Sequence, residues 1–220
     1  MKKNNEEARM EFANPYAQGA DAGADNTLND RAAAADRPGD RSANPAPLGL
    51  LGFGMTTVLL NLQNAQLIDM SVVIAAMGFA AGGLAQVIAG VFELKRGNTF
   101  TGTAFTAYGC FWWSLLFIWL NPGEMMDEAD EMSMFFYLLL WGVFTLFMFI
   151  GSLRHSRATQ IVFLTLAILF FGLAAGEFTG IEIVPQVAGY VGIFCGASAI
   201  YNAMGQMLKG EYGREVLPLG

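Results

Sequence analysis

From Pro47 onward the chain is built of six apolar stretches, each of roughly twenty residues, separated by short polar links. About twenty consecutive apolar residues is the length a helix needs to cross the hydrocarbon core of a bilayer. In lipid only a helix or a closed barrel satisfies its own backbone. These runs therefore predict an all-α membrane protein with six spans, at residues 48–65, 71–94, 102–120, 134–153, 159–175 and 185–208. The first is short and carries Thr56, Thr57, Asn61 and Gln63, which lowers its hydropathy. Residues 1–43 hold six of the twelve Lys/Arg and eight of the nineteen Asp/Glu, leaving seventeen charges for the following 177 residues. So few charges cannot clothe a soluble core, which excludes a water-soluble enzyme.

The charges that remain report sidedness. Lys95 and Arg96 follow span two, Arg154 and Arg157 follow span four, and Lys209 and Arg214 follow span six. The alternate links contain Asp69, then Glu124, Asp127, Glu128, Asp130 and Glu131, then Glu177 and Glu182, with no Lys or Arg. Six spans put all twelve basic residues on one side; five or seven would mix them. The positive-inside rule makes that side cytoplasmic, with both termini inside.

Residues 1–43 mix both charge signs with few large apolar side chains and lack a run of signal-peptide length. They predict a disordered polar tail on the cytoplasmic side, with residues 44–220 as the transmembrane domain. Cys110 and Cys195 lie in apolar runs without a second Cys or His nearby and read as buried small residues. His155, between Arg154 and Arg157 in SLRHSR, reads as a solvated loop residue rather than a ligand. A pI near 4.6 argues against nucleic acid as a partner. Metal, cofactor and nucleophile–base patterns are missing, so no catalytic residue is expected.

A polar group within a span must face the bundle interior or water. Asn44-Pro45-Ala46-Pro47 suits a helix start, and the free N–H groups of such a start can attract an anion. On span two, Gly82, Gln86, Ala89, Gly90 and Glu93 share one face. Glu93 sits near a helix C-terminus, where the dipole disfavours an acid; an ion pair with Lys95 or Arg96, or a place in a vestibule, would account for it. Thr99, Thr101, Thr103 and Thr106 enter span three, and Ser198 and Asn202 lie on span six. Spans one, two, three and six thus combine small and polar residues, whereas spans four and five are mostly Leu, Phe and Ile and suit lipid or subunit contact. Trp119 fits an interfacial belt, and Trp141 is deep enough to pack between helices. Three small-xxx-small pairs, Gly78/Gly82, Gly172/Gly176 and Gly192/Gly196, predict close helix packing, within a protomer or between protomers. What remains is a narrow conduit for a small solute, lined by hydroxyls, amides and rings.

Asn44-Pro-Ala-Pro-Leu-Gly-Leu-Leu-Gly-Phe-Gly-Met-Thr-Thr, with GGLAQVIAG (residues 82–90), GNTFTGTAFTAYG (97–109), WGVFTLFMF (141–149), CGASAIYNAMG (195–205) and the closing GREVLPLG, resembles the acetate uptake transporters, the SatP/YaaH-type acetate–succinate permeases. The resemblance covers about residues 42–220. It implies a homo-oligomer, a hexamer of six-helix protomers with one pore each, moving acetate and in some members succinate, usually linked to protons. It implies a hydrophobic constriction at Phe53, Tyr108 and Leu166, a selectivity position at Ala199, and vestibules lined by Asn44, Gln86 and Glu93; Thr106 and Ser198 are expected to line the substrate-binding vestibule with them. Leu166 in this role overrides the reading of span five as lipid-facing.

An apolar ring opposes a bare charge because desolvating an ion is costly. Transport is thus expected to favour the neutral acid and low pH, without a protonatable residue in the ring. The competing expectation is a hexameric channel for neutral solutes such as urea or short amides, which shares six spans and charge-free span centres.

Overall fold

The computed structural model describes residues 43–120 and 127–220, and the statements below concern those residues. The expected tail over residues 1–43, Ala43 aside, and the Glu124 end of the acidic link fall outside them. Six helices are long and apolar enough to span a membrane: α1 Ala46–Asn64, α2 Val72–Lys95, α3 Thr99–Leu120, α4 Glu131–Ser152, α5 Arg157–Thr179 and α6 Ile183–Tyr212. Most run a few residues beyond the expected spans, because helices continue past the hydrocarbon core into polar flanks. This is an all-α, multi-pass membrane protein.

The helices form a ring in chain order, each packed on its sequence neighbours and α6 returning against α1. Small residues set the tight seams. Gly189, Gly192 and Gly196 on α6 lie against Ala65, Asn61 and Val58. Gly54 and Gly196 approach so closely that a Cβ on either would stand 2.7 Å from the other's carbonyl oxygen. Gly172 and Gly176 on α5 receive Ala188 and Pro185 of α6, and Gly78 and Gly82 on α2 receive Trp112 of α3. All three small-xxx-small pairs therefore serve packing inside the protomer. Gly196→Val should cost about 1–3 kcal/mol of stability by overpacking this seam; thermal unfolding in detergent measures it, and an unchanged midpoint would count against the close α1–α6 contact.

The α3–α4 seam is different: backbones stay apart and aromatic side chains fill the gap. Phe111 meets Trp141 edge-on at 5.2 Å between ring centroids, and Tyr108 meets Phe144 at 5.4 Å. Trp141 packs between helices, as its depth implied. Cys195 is buried, but Cys110, expected to be buried as well, is exposed on the outside of the protomer. An apolar neighbourhood in sequence reports membrane depth and leaves open which way a face points.

Two caps close the ends. Asp130 accepts from the Ser133 amide at 2.6 Å, starting α4 and holding its carboxyl below the usual carboxylate range. At the basic end, the closing segment folds back over α5: the Leu219 carbonyl accepts from the Ala158 amide at 2.9 Å, and Tyr201 donates to the Pro218 carbonyl at 3.0 Å. His155 stacks on Phe100 at 4.7 Å, and partial burial there pushes its imidazole pKa down.

Candidate functional site

At the centre of the ring lies a cavity of about 30 Å³. Its wall takes Phe53 from α1, Gln86 from α2, Tyr108 from α3, and Thr159, Phe163 and Leu166 from α5. The three residues of the expected constriction are thus brought together, all buried. Phe53 and Tyr108 sit 6.0 Å apart, ring to ring. Tyr108 is held from behind: Thr145 donates to the Trp141 carbonyl at 2.7 Å, so its oxygen receives the Tyr108 hydroxyl at 2.9 Å. The ring rather than the hydroxyl is left to face the cavity. The same residues correct the reading of α5 from composition, since Leu166 is only 2 % exposed.

Gln86 is the unusual member of this wall. It is fully buried, and neither its Oε1 nor its Nε2 has a hydrogen-bond partner in the protein. A buried polar group left unpaired costs about 1–3 kcal/mol. With Thr159 the only other aliphatic polar side chain among the described lining residues, an unpaired amide in this mostly apolar wall is free to bond a polar ligand.

From this cavity a chain of amides leads to the basic end. Thr159 accepts from Asn202 at 3.1 Å, Asn202 accepts from Gln206 at 3.0 Å, and Gln206 accepts from Asn44 at 3.3 Å. Asn44 in turn accepts from Arg96 at 3.4 Å and from the Ala46 amide at 3.1 Å. The carboxylate of Glu93 is 2 % exposed as a residue and accepts from Asn98 at 2.8 Å. The Ala46 amide also turns toward it, and the Arg96 guanidinium lies near. Glu93 thus lies at the end of its own helix and beside the start of α1, with Asn98 and Arg96 as its nearer polar neighbours. The helix start expected to attract an external anion already faces this internal one.

The acidic end opens differently, as a recess of about 890 Å³. Leu60, Phe111 and Leu115 form its buried floor, and Glu131, Glu177 and Glu182 stand on its walls. Among the described residues lining it, no Lys or Arg appears.

The remaining expected residues stand off the central cavity. Ala199 is fully buried in α6 but is not part of the cavity wall. Ser198 donates to the Cys195 carbonyl of its own helix at 2.7 Å. Thr106 packs its hydroxyl against Gly90 of α2, where its buried oxygen has no protein partner.

A sequence profile described as the GPR1/FUN34/YaaH family matches residues 25–214. The chain belongs to the GPR1/FUN34/YaaH family. It is 52 % identical over 179 residues to the succinate-acetate/proton symporter SatP of Escherichia coli K12, covering 81 % of this chain and 95 % of that protein. It is 35 % identical over 185 residues to the ammonia transport outward protein 2 of Saccharomyces cerevisiae, covering 80 % of this chain and 65 % of that one. Among solved structures, the bacterial acetate channel SatP superposes with a TM-score of 0.80 at 51 % identity, covering 82 % of this chain and all of that one.

In this GPR1/FUN34/YaaH member, Thr159, Phe163, Thr145 and the pairing of Asn202 with Thr159 belong to the site without a signal in the linear sequence. Asn202 and Thr159 lie 43 residues apart, and only the packing of α5 on α6 joins them. A buried Asn facing a Thr on another apolar helix leaves no signature in a linear pattern. For Gln86 the signal existed, since it shares a face with Gly82 and Glu93, but its depth at the throat did not follow from it.

Proposed function

We propose that this protein carries small carboxylates, acetate above all and succinate second, across the plasma membrane. In this reading both termini and the polar tail are cytoplasmic, and the protomers assemble as a hexamer with one path each. The observation that carries it is the unpartnered Gln86 amide in a throat otherwise framed by Phe53, Tyr108, Phe163 and Leu166. A monocarboxylate has an apolar end and a polar end, and this wall offers a surface for each. Two relatives named for acetate or succinate transport support the substrate class.

The cavity has room for a water or two, short of an acetate with its partial water shell. Passage thus requires the rings to move, and a dehydrated anion meets the full desolvation cost there. The carboxylates of the acidic recess raise that cost for an anion entering from outside, whereas the neutral acid feels no net repulsion. Proton linkage then arises from the protonation of the substrate; the described throat residues include no Asp, Glu, Lys or His. Asn44 and Glu93 flank the inner mouth, Gln86 serves the throat itself, Thr106 and Ser198 support the helices behind it, and Ala199 tunes size from α6. In this reading the protein is a transporter rather than an enzyme.

The test is labelled acetate uptake into proteoliposomes at fixed total acetate, from mildly acidic to alkaline pH. Uptake should fall steadily as pH rises, and succinate should compete. Flux that stayed constant across that range would overturn passage of the neutral acid. The second reading, a neutral-solute channel, draws on the yeast relative named for ammonia transport. Labelled urea and ammonia, run beside acetate, separate the two: entry of either at the acetate rate favours the second reading.

A further inference from the structure

The middle of α2, Gly78–Ala85, is a π-helix, and Gln86 is the first residue after it. The register this imposes decides where Gln86 points. Ile74, Gly78, Gly82 and Gln86 are all buried, at steps of four residues. In an α-helix each such step turns about 40° past a full turn, so three steps carry a side chain about 120° off the starting face. A π-helix takes in one more residue per turn, so steps of four no longer run ahead. Straightened to α, the segment would swing Gln86 away from the cavity.

A π-helix is held by its surroundings, because its sequence here, GFAAGGLA, has no intrinsic reason to prefer it. Two side chains from neighbouring helices bond carbonyls at its N-terminal end, that of Met77 just before it and that of Phe79 within it. On the inner side, Thr56 of α1 is fully buried; its single hydroxyl proton is shared between the Gly52 carbonyl at 2.8 Å and the Met77 carbonyl, just before the π segment, at 3.3 Å. On the outer side, the Trp113 indole donates to the Phe79 carbonyl at 3.2 Å. Between them Gly52, lacking a Cβ, lets the Ala81 carbonyl come up against α1. Thr56 is one turn beyond Phe53 on the same helix, so one element carries both the ring of the throat and the clamp on its amide.

We infer that Thr56 is a positioning residue for Gln86: by clamping the π segment of α2 it keeps the Gln86 amide turned toward the passing carboxylate and so sets apparent affinity. The inference rests on the proposed role of Gln86, and the experiment separates the two.

Full-length Thr56→Val, Thr56→Ser, Gln86→Leu and the Thr56→Val/Gln86→Leu double variant are compared in proteoliposomes by the half-saturation concentration and maximal rate of labelled acetate uptake. Thr56→Val keeps the shape and loses the hydroxyl. It should raise the half-saturation concentration about tenfold while the maximal rate stays within about twofold, since misplacing one group by an ångström can cost that much or more. Thr56→Ser should behave as the parent. In the Gln86→Leu background Thr56→Val should add nothing. Should Thr56→Val fail to fold, Trp113→Phe loosens the same segment from the other side and should give a shift of the same kind, again absent with Gln86→Leu. A Thr56→Val variant with unchanged half-saturation, or a shift that persists in full on top of Gln86→Leu, overturns the inference while leaving Gln86 its role. A Gln86→Leu single variant that transports like the parent overturns that role and the inference together.

Discussion

Gln86→Leu should lose at least tenfold in acetate uptake and at the same time melt at a higher temperature than the parent. The two effects have one cause. The amide is buried with no protein partner for either of its polar atoms, so the resting protein bears an unpaired polar group. Leucine removes that penalty of about 1–3 kcal/mol with a side chain of similar size. At about 2–4 °C per kcal/mol for a chain of this length, the midpoint should rise by several degrees. The passing acid meanwhile loses the amide that meets its polar end; leaving a buried carboxyl unpaired costs about 1–3 kcal/mol, or roughly thirtyfold in rate at the middle of that range. Uptake and thermal unfolding on the same preparation check both arms. Loss of transport together with lower stability would mean that Gln86 is a structural residue, and the proposed role would fall.

Phe53→Ala should do the reverse: lower the stability and admit larger acids. Phe53 is 6 % exposed, and its ring meets Tyr108 across the cavity. Deleting a buried phenyl costs about 3–5 kcal/mol through lost contacts and the space left behind. That space lies on the path itself, so the throat widens by about the volume of a ring. The ratio of succinate to acetate uptake should rise several-fold, and the same ratio should respond to Leu166→Ala from the opposite wall. A ratio is independent of how much protein survives reconstitution, which keeps the outcome readable in a destabilised variant. An unchanged ratio in both variants would place the selective step elsewhere along the axis.

How far these sites could be read without coordinates differs residue by residue. Phe53 stands in a motif dense with glycine, and Gln86 is a lone amide on a small-residue face, so both stand out in the chain. Leu166 does not. Helix α5 is apolar all round from Ile161 to Phe171, save Thr165, and a helix apolar on every side shows no periodicity to tell core from lipid. Cys110 shows the same blindness in the other direction, with apolar neighbours yet an outward position. The π segment is hidden for a further reason: Gly and Ala tolerate either register, and Thr56 and Trp113, which grip it, belong to other helices.

Sequence alone determined the number of spans and the separation of basic from acidic ends. Transfer of a segment into lipid depends on the length and polarity of one contiguous run, and loop charges act locally. Tertiary structure alone decided which residues meet. It put Phe53, Tyr108 and Leu166 around one cavity, joined Thr159 to Asn202, and turned Gln86 inward through a register set by its neighbours. In a bilayer the hydrophobic effect no longer sorts one apolar face from another. That choice falls to close packing of small residues and to the few buried hydrogen bonds, which link helices far apart in the chain.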